Sequence, residues 1–329
     1  MRTALTILTL AVFLGLAGCT SSGRKASKEK GNILTVDFEQ GKTLQYRFVT
    51  RREVSIEWDP EKKMPKAGGK SSENIIESLD IVMAYTPTEV DPFGLTTIEA
   101  TCKSAKVTRS KGPSSSGGKD AVEYFAGKSF TLKVGPTGKI EDYSQLDALI
   151  KEVGEKAFRP GADRGRIKEP DMICDFVSTQ WFLWDSVSSI DTAAGGVSPG
   201  QTWKSQLSVP APMVMRKARD VVYKLDEIRS SEKGPVAVIS SSYSPAEMVP
   251  ASWPIPYSGT FQMSGTFGFL SGYRFLSLQG SGQELFNIET GQSEQYNQQY
   301  EMKIQAAIPM GIGAKPLVTI KQSITAKLL

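Results

Sequence analysis

Hydrophobic alternation with a period of two runs through most of the chain beyond residue 40, and it dictates extended strands that turn one face to a core. Leu44, Tyr46 and Phe48 share one face of such a strand, and Val54, Ile56 and Trp58 repeat the pattern. The same signal, enriched in β-branched and aromatic residues, predicts strands at 75–85, 96–108, 129–134, 214–228, 236–243, 259–278, 284–289, 295–308 and 317–327. Gly135-Pro136-Thr137-Gly138, Gly280-Ser281-Gly282 and Glu289-Thr290-Gly291 are turn sequences that suit short antiparallel hairpins.

Two stretches break the alternation. Leu146, Leu149, Ile150 and Val153 form one apolar stripe of a helix that Ser144 can cap and that ends near Phe158. A second helix is expected from Pro170, with Ile173, Phe176, Val177, Trp181, Trp184, Val187 and Ile190 at helical spacing. Its stripe is either core between two halves or, through Phe176, Trp181 and Trp184, the lining of an apolar ligand cavity beneath a helical lid. The expected fold class is mainly β (α+β), with two antiparallel-sheet domains joined by a helical segment. Their bounds are 33–158 for a first domain ending in a helix, 159–199 for the connector and 200–329 for the second domain. Gly41-Lys42-Thr43-Leu44, Asp80-Ile81-Val82 and Gly94-Leu95-Thr96 parallel Gly200-Gln201-Thr202-Trp203, Asp220-Val221-Val222 and Gly234-Pro235-Val236. Leu132, Thr137, Gly138, Glu141 and Tyr143 then return as Leu285, Thr290, Gly291, Glu294 and Tyr296. The preserved order fits a tandem duplication, and it also fits two uses of one hairpin vocabulary.

The first residues carry an address. Arg2 precedes a nearly uncharged apolar run from Thr3 to Leu14, too short for a comfortable membrane span, which closes on Leu16-Ala17-Gly18-Cys19. This segment resembles the signal peptide and lipobox of bacterial lipoproteins. The resemblance implies cleavage after Gly18, acylation of Cys19, and an N-terminal acyl anchor that holds the protein to a membrane. Thr20 and Ser21, in place of an Asp after the cysteine, imply outer-membrane sorting and a body facing the periplasm. The exported part is similar in general character to β-rich envelope lipoproteins, a likeness that assigns no site. Residues 1–18 are then signal peptide, and 19–32 the lipidated cysteine with a disordered tether of four cations against one anion. Without signal and tether the chain holds 34 basic and 34 acidic residues, so no nucleic-acid partner is implied.

Familiar chemistries are narrowed by composition. The chain has no histidine, which removes Ser-His-Asp and Cys-His nucleophiles and His-ligated zinc. Gly127-Lys128-Ser129 and Gly69-Lys70-Ser71 imitate the end of a phosphate loop, yet neither is followed by the helix such a loop needs. No metal or cofactor is expected. Glu89 with Asp91, or Asp171 with Asp175, would be the carboxylates of a hydrolase, and all four read equally as turn or helix-start residues. Cys102 and Cys174 either bridge in an oxidising compartment or pack as two buried thiols. The expected role is non-catalytic: a structural or interaction protein of the envelope with an unknown protein partner. The alternative is a carrier of a lipid or other amphipathic ligand, with a carboxylate hydrolase third.

Overall fold

The structure is a computed structural model that describes residues 31–62, 71–110, 119–157, 167–168, 172–191, 195–206, 209–210, 218–246, 261–262, 269–308 and 314–329. The lipobox, most of the tether and parts of the expected strands at 214–228 and 259–278 lie outside the described residues.

The alternation becomes strands where it was expected, except that Gly280-Ser281-Gly282, expected as a turn, lies inside one continuous strand, Ser271–Asn287, in register with Tyr300, Gln299 and Gln298. The first half is a meander of β1 (Leu44–Glu57), β2 (Ser72–Val90), β3 (Thr96–Arg109), β4 (Ser129–Val134) and β5 (Ile140–Asp142). The second runs through β7 (Thr202–Lys204), β9 (Ala218–Ser231), β10 (Gly234–Pro245), β12 (Ser271–Asn287), β13 (Gln292–Ala307) and β14 (Leu317–Leu328), with β8 (Val209–Pro210) also on β9. Two short strands, β6 (Ile167–Lys168) and β11 (Phe261–Gln262), pair in parallel. The expectation of a mainly β fold holds, but the two antiparallel-sheet domains expected from the sequence do not have separate sheets. Among the described residues the two halves share one sheet of 12 strands, because β1 pairs with β14 from Tyr46↔Leu328 to Glu57↔Leu317. Left apart, these two long strands would each expose a row of unpaired amides and carbonyls. The matched segments of the two halves occupy equivalent places: Gly94 opens β3 with φ +84°, and Gly234 opens β10 with φ +101°.

The inward face collects the core. In β1 it carries Tyr46, Phe48, Val54 and Ile56, and in β2 Leu79, Ile81, Met83 and Tyr85, all buried in one hydrophobic cluster that spans both halves. α1 (Ser144–Ala157) lays its stripe of Leu146, Leu149, Ile150 and Val153 into this cluster as its spacing requires. The second helix is two: α2 (Ile173–Phe182) and α3 (Asp185–Ser188), with the turn at Leu183–Trp184. Together they form a spine within the sheet. Phe176 stacks on Phe125 with ring centroids 4.3 Å apart, and Trp184 meets Tyr85 edge-on, contacts that belong to the first half. Phe182 stacks on Tyr296 of the second half at 5.9 Å.

The chain ahead of β1 is an extended strap. Leu34, Val36 and Phe38 are buried in alternation, with Phe38 against the Trp184 ring at 5.9 Å. The strap crosses the end of the sheet where the hairpin turns gather. Asn32 and Val197 exchange backbone hydrogen bonds of 2.7 and 2.9 Å, the Asp37 amide donates to the Gly291 carbonyl at 3.3 Å, and the Gly41 amide donates to the Pro87 carbonyl at 2.8 Å. Gly291 has φ +63°, and a Cβ there would collide with the Asp37 backbone; Gly41 has φ +82° and open space around it. Gly41→Ala is therefore expected to cost about 1–2 kcal/mol through the left-handed backbone alone. Gly291→Ala is expected to cost clearly more because the strap must also shift, a difference that urea unfolding of the two variants measures.

Candidate functional site

Polar side chains interrupt the core at two places along the spine. The first lies under α2. Continuing the inward face of β1 past Phe48 brings Arg52 inside, where one Nη donates to Asp175 of α2 at 2.6 Å and the other to Glu77 of β2 at 3.5 Å. The opposite oxygen of Glu77 accepts from Arg109 Nε at 2.8 Å, and Arg109 also pairs with Asp120. Asp120 caps the short 3-10 helix Ala121–Phe125, and its oxygen accepts the Met172 amide at 3.3 Å where α2 begins. Gln322 of β14 donates to the second Asp175 oxygen at 3.0 Å and accepts from the Tyr300 hydroxyl. Five charged side chains from three strands, a cap and a helix thus satisfy one another away from water.

The second cluster surrounds α3. Asp185 accepts from the Tyr223 hydroxyl at 2.5 Å, from Ser205 at 2.8 and 2.9 Å, and from Ser189 at 3.1 Å. Ser186 donates to Glu284 at 2.5 Å, while the Trp203 indole donates to the Ser186 carbonyl at 2.7 Å. Arg219 lies beneath, its guanidinium 4.6 Å from the Tyr243 ring centroid and donating to Gln298 at 3.0 Å. Burial pushes the Asp185 carboxyl up against the lowering effect of its hydroxyl donors. Burial likewise pushes Glu284 up to about 7, against the lowering effect of the Ser186 and Ser293 hydroxyls. A carboxylic acid that stays protonated near neutrality can exchange a proton, but Glu284 is only 2% exposed and walled by β12, β13 and α3.

The outward face is different in kind. Arg51 and Glu53 of β1, Lys321 and Ser323 of β14, Gln299 and Glu301 of β13, and Gln279 and Ser281 of β12 line a shallow trough of about 580 Å³ across the four central strands. Its two rows pair directly through the register, with Glu53 opposite Lys321 and Lys321 opposite Glu301. Both charge signs and several amides lie within reach of a polar surface.

The residues singled out from the sequence fall as follows. Phe176, Trp181 and Trp184 are buried, each ring against other rings: Phe125 and Phe130 for the first, Tyr143 for the second, Phe38 and Tyr85 for the third. All three belong to the one hydrophobic cluster. Cys102 and Cys174 are not bridged; Cys102 points its thiol at the Ser104 carbonyl, 3.5 Å away on its own strand, and burial pushes that thiol up to about 12. Asp91 is a turn residue whose oxygen accepts the Phe93 and Leu95 amides at 2.8 Å, and Glu89 is exposed on the same hairpin. Asp175 is buried and paired, and Asp171, Leu16, Ala17, Gly18 and Cys19 lie outside the described residues. Sequence reasoning missed Arg52, Glu77, Asp185 and Glu284. The signal for Arg52 and Glu77 was present, since each stands in register with the apolar face of its strand.

No protein-family profile matches this sequence, and no curated protein sequence matches it. Among solved structures, one titled as lipid-protein interactions in lipovitellin aligns at a TM-score of 0.43 and 9% identity, covering 89% of this chain and 25% of that chain. The chain thus spans a quarter of that protein's length.

Two outcomes follow from the buried clusters. Asp175→Ala leaves Arg52 and Gln322 facing each other inside and is expected to lower stability by about 3–5 kcal/mol in chemical denaturation. Glu284 loses its proton near 4.5 when unfolded and near 7 when folded. Between those values the folded state binds more protons, so stability falls as pH rises through that window and levels off above it. The loss is on the order of 3 kcal/mol for the full shift, with Asp185 acting in the same direction. Urea midpoints across this window should decline for the natural chain and be flatter for Glu284→Gln.

Proposed function

We propose that the protein is an acylated envelope protein, anchored through Cys19 and facing the periplasm from the outer membrane, whose body has a non-catalytic structural or protein-interaction role. The anchor rests on Leu16-Ala17-Gly18-Cys19 and the apolar run before it. The role rests on one observation above the others: the aromatic spine at Phe176, Trp181, Phe182 and Trp184 is occupied by the protein's own rings. Packing of these rings on one another favours recognition at the outer surface, where the trough of Arg51, Glu53, Glu301 and Lys321 offers polar contacts of both signs. The buried acids fit a structural role, because hydroxyl and guanidinium donors from the fold itself already surround Asp185 and Asp175.

Metabolic labelling with a radioactive fatty acid tests the anchor: label is expected on the natural chain and absent from Cys19→Ser. Native mass spectrometry of residues 20–329 tests the role. The protein mass alone is the expected result, and a stoichiometric bound lipid would overturn it in favour of a carrier.

A further inference from the structure

The antiparallel register puts many ends together. The turns after β2 (91–95), after β4 (135–139), after β9 (232–233) and after β12 (288–291) all lie at the end of the sheet where β1 starts and β14 finishes. The strap runs across this same end, and the chain enters it at Gly31–Asn32 beside Val197. The β2–β3 hairpin projects past the start of β1, with the β4–β5 turn beside it at the same level, since Thr96 is in register with both Val90 and Val134. β2 leaves β1 at Tyr85 and continues with β3 to Val90↔Thr96, five residues or about 16 Å farther. At its tip Phe93 is 87% exposed, with Val90 and Pro92 also exposed. The tip is built, not frayed: Asp91 binds the Phe93 and Leu95 amides, the Asp91 amide donates to the Leu95 carbonyl at 3.0 Å, and Gly94 packs against Pro136 of the neighbouring turn.

We propose that this end of the sheet rests on the membrane, with Phe93 at the hairpin tip entering the interfacial region of the phospholipid bilayer. The inference rests on the anchored reading above. Twelve residues, 20–31, separate Cys19 from the strap's first backbone contact at Asn32, a reach of about 40 Å at full extension. The anchored chain therefore meets the body at the end that carries the tip. Arg24, Lys25, Lys28 and Lys30 against Glu29 draw that tether to anionic headgroups. Aromatic rings partition favourably into the interface, and a projecting ring can enter it without disturbing the core.

The test uses the full chain in vesicles of phosphatidylethanolamine and phosphatidylglycerol that contain a nitroxide-labelled lipid. An environment-sensitive fluorophore is placed by Phe93→Cys or, at the opposite end of β12, by Leu276→Cys, both in a Cys174→Ser background. Both positions are exposed, and the buried Cys102 thiol stays unlabelled. The expected result is a blue shift and several-fold stronger quenching at 93 than at 276. Equal quenching at the two positions, or none at either, overturns the proposal, as does protection of 93 that arises only on adding envelope proteins. An intact mass without acyl chains would instead overturn the anchored reading. In that case tip contact is read on the unanchored protein, where quenching confined to 93 still supports insertion and its absence refutes it.

Discussion

Pairing of the first long strand with the last governs the architecture. β1 and β14 are separated by almost the whole chain, yet they share a continuous register from Tyr46↔Leu328 to Glu57↔Leu317. That ladder turns two meanders into one sheet, and the single sheet gives the α2–α3 spine two walls to pack between. It also makes folding non-local. Local hairpins such as β2–β3 can form early, but the central ladder must wait for the C-terminal strand, and contacts of such long sequence separation slow folding. The short strands β5 and β7 then stand at the two edges, where a long unpaired strand would invite association.

Charges within a core of this size need an account. Moving an ion pair out of water is unfavourable, and an apolar replacement of the same shape is often no less stable. What the Arg52–Asp175 and Glu77–Arg109–Asp120 contacts supply is direction. An aromatic spine can slide among rings with modest loss, whereas Asp175 must meet Arg52 and Gln322, and Asp185 must meet Tyr223 and Ser205. The two clusters fix α2 and α3 at separate points along the sheet, the first against β1, β2 and β14 and the second against the β7–β9 side.

Much of this was legible in the sequence because the signals are local. Period-two alternation placed β1, β3, β4, β10, β13 and β14 within a few residues of their observed bounds and β2 five residues short of its end, and the stripe of Leu146, Leu149, Ile150 and Val153 is the buried face of α1. The break between α2 and α3 was hidden because Trp181, Trp184 and Val187 keep helical spacing across it. The fusion of the halves was hidden for a different reason: nothing near Tyr46 indicates that its partner is Leu328. The buried clusters share that difficulty, since Arg52 becomes tolerable inside only when Asp175, more than a hundred positions away, arrives beside it. Cys102 and Cys174 show the converse, two residues that composition suggests as partners and that the fold does not join.

The strap has a mechanical consequence. A load applied at Gly31 does not reach β1 directly. It falls first on the two backbone bonds and the Asn32 side-chain bond to Val197, then on Asp37, whose amide donates to Gly291 and whose carbonyl accepts from Gln292, and only then on Gly41 and Pro87. Each is a small, separate fastening, and Leu34, Val36 and Phe38 would leave the core one after another as they open. Tension is therefore dissipated by a segment that can re-seat when the load is released, while the ladder between β1 and β14 keeps its register.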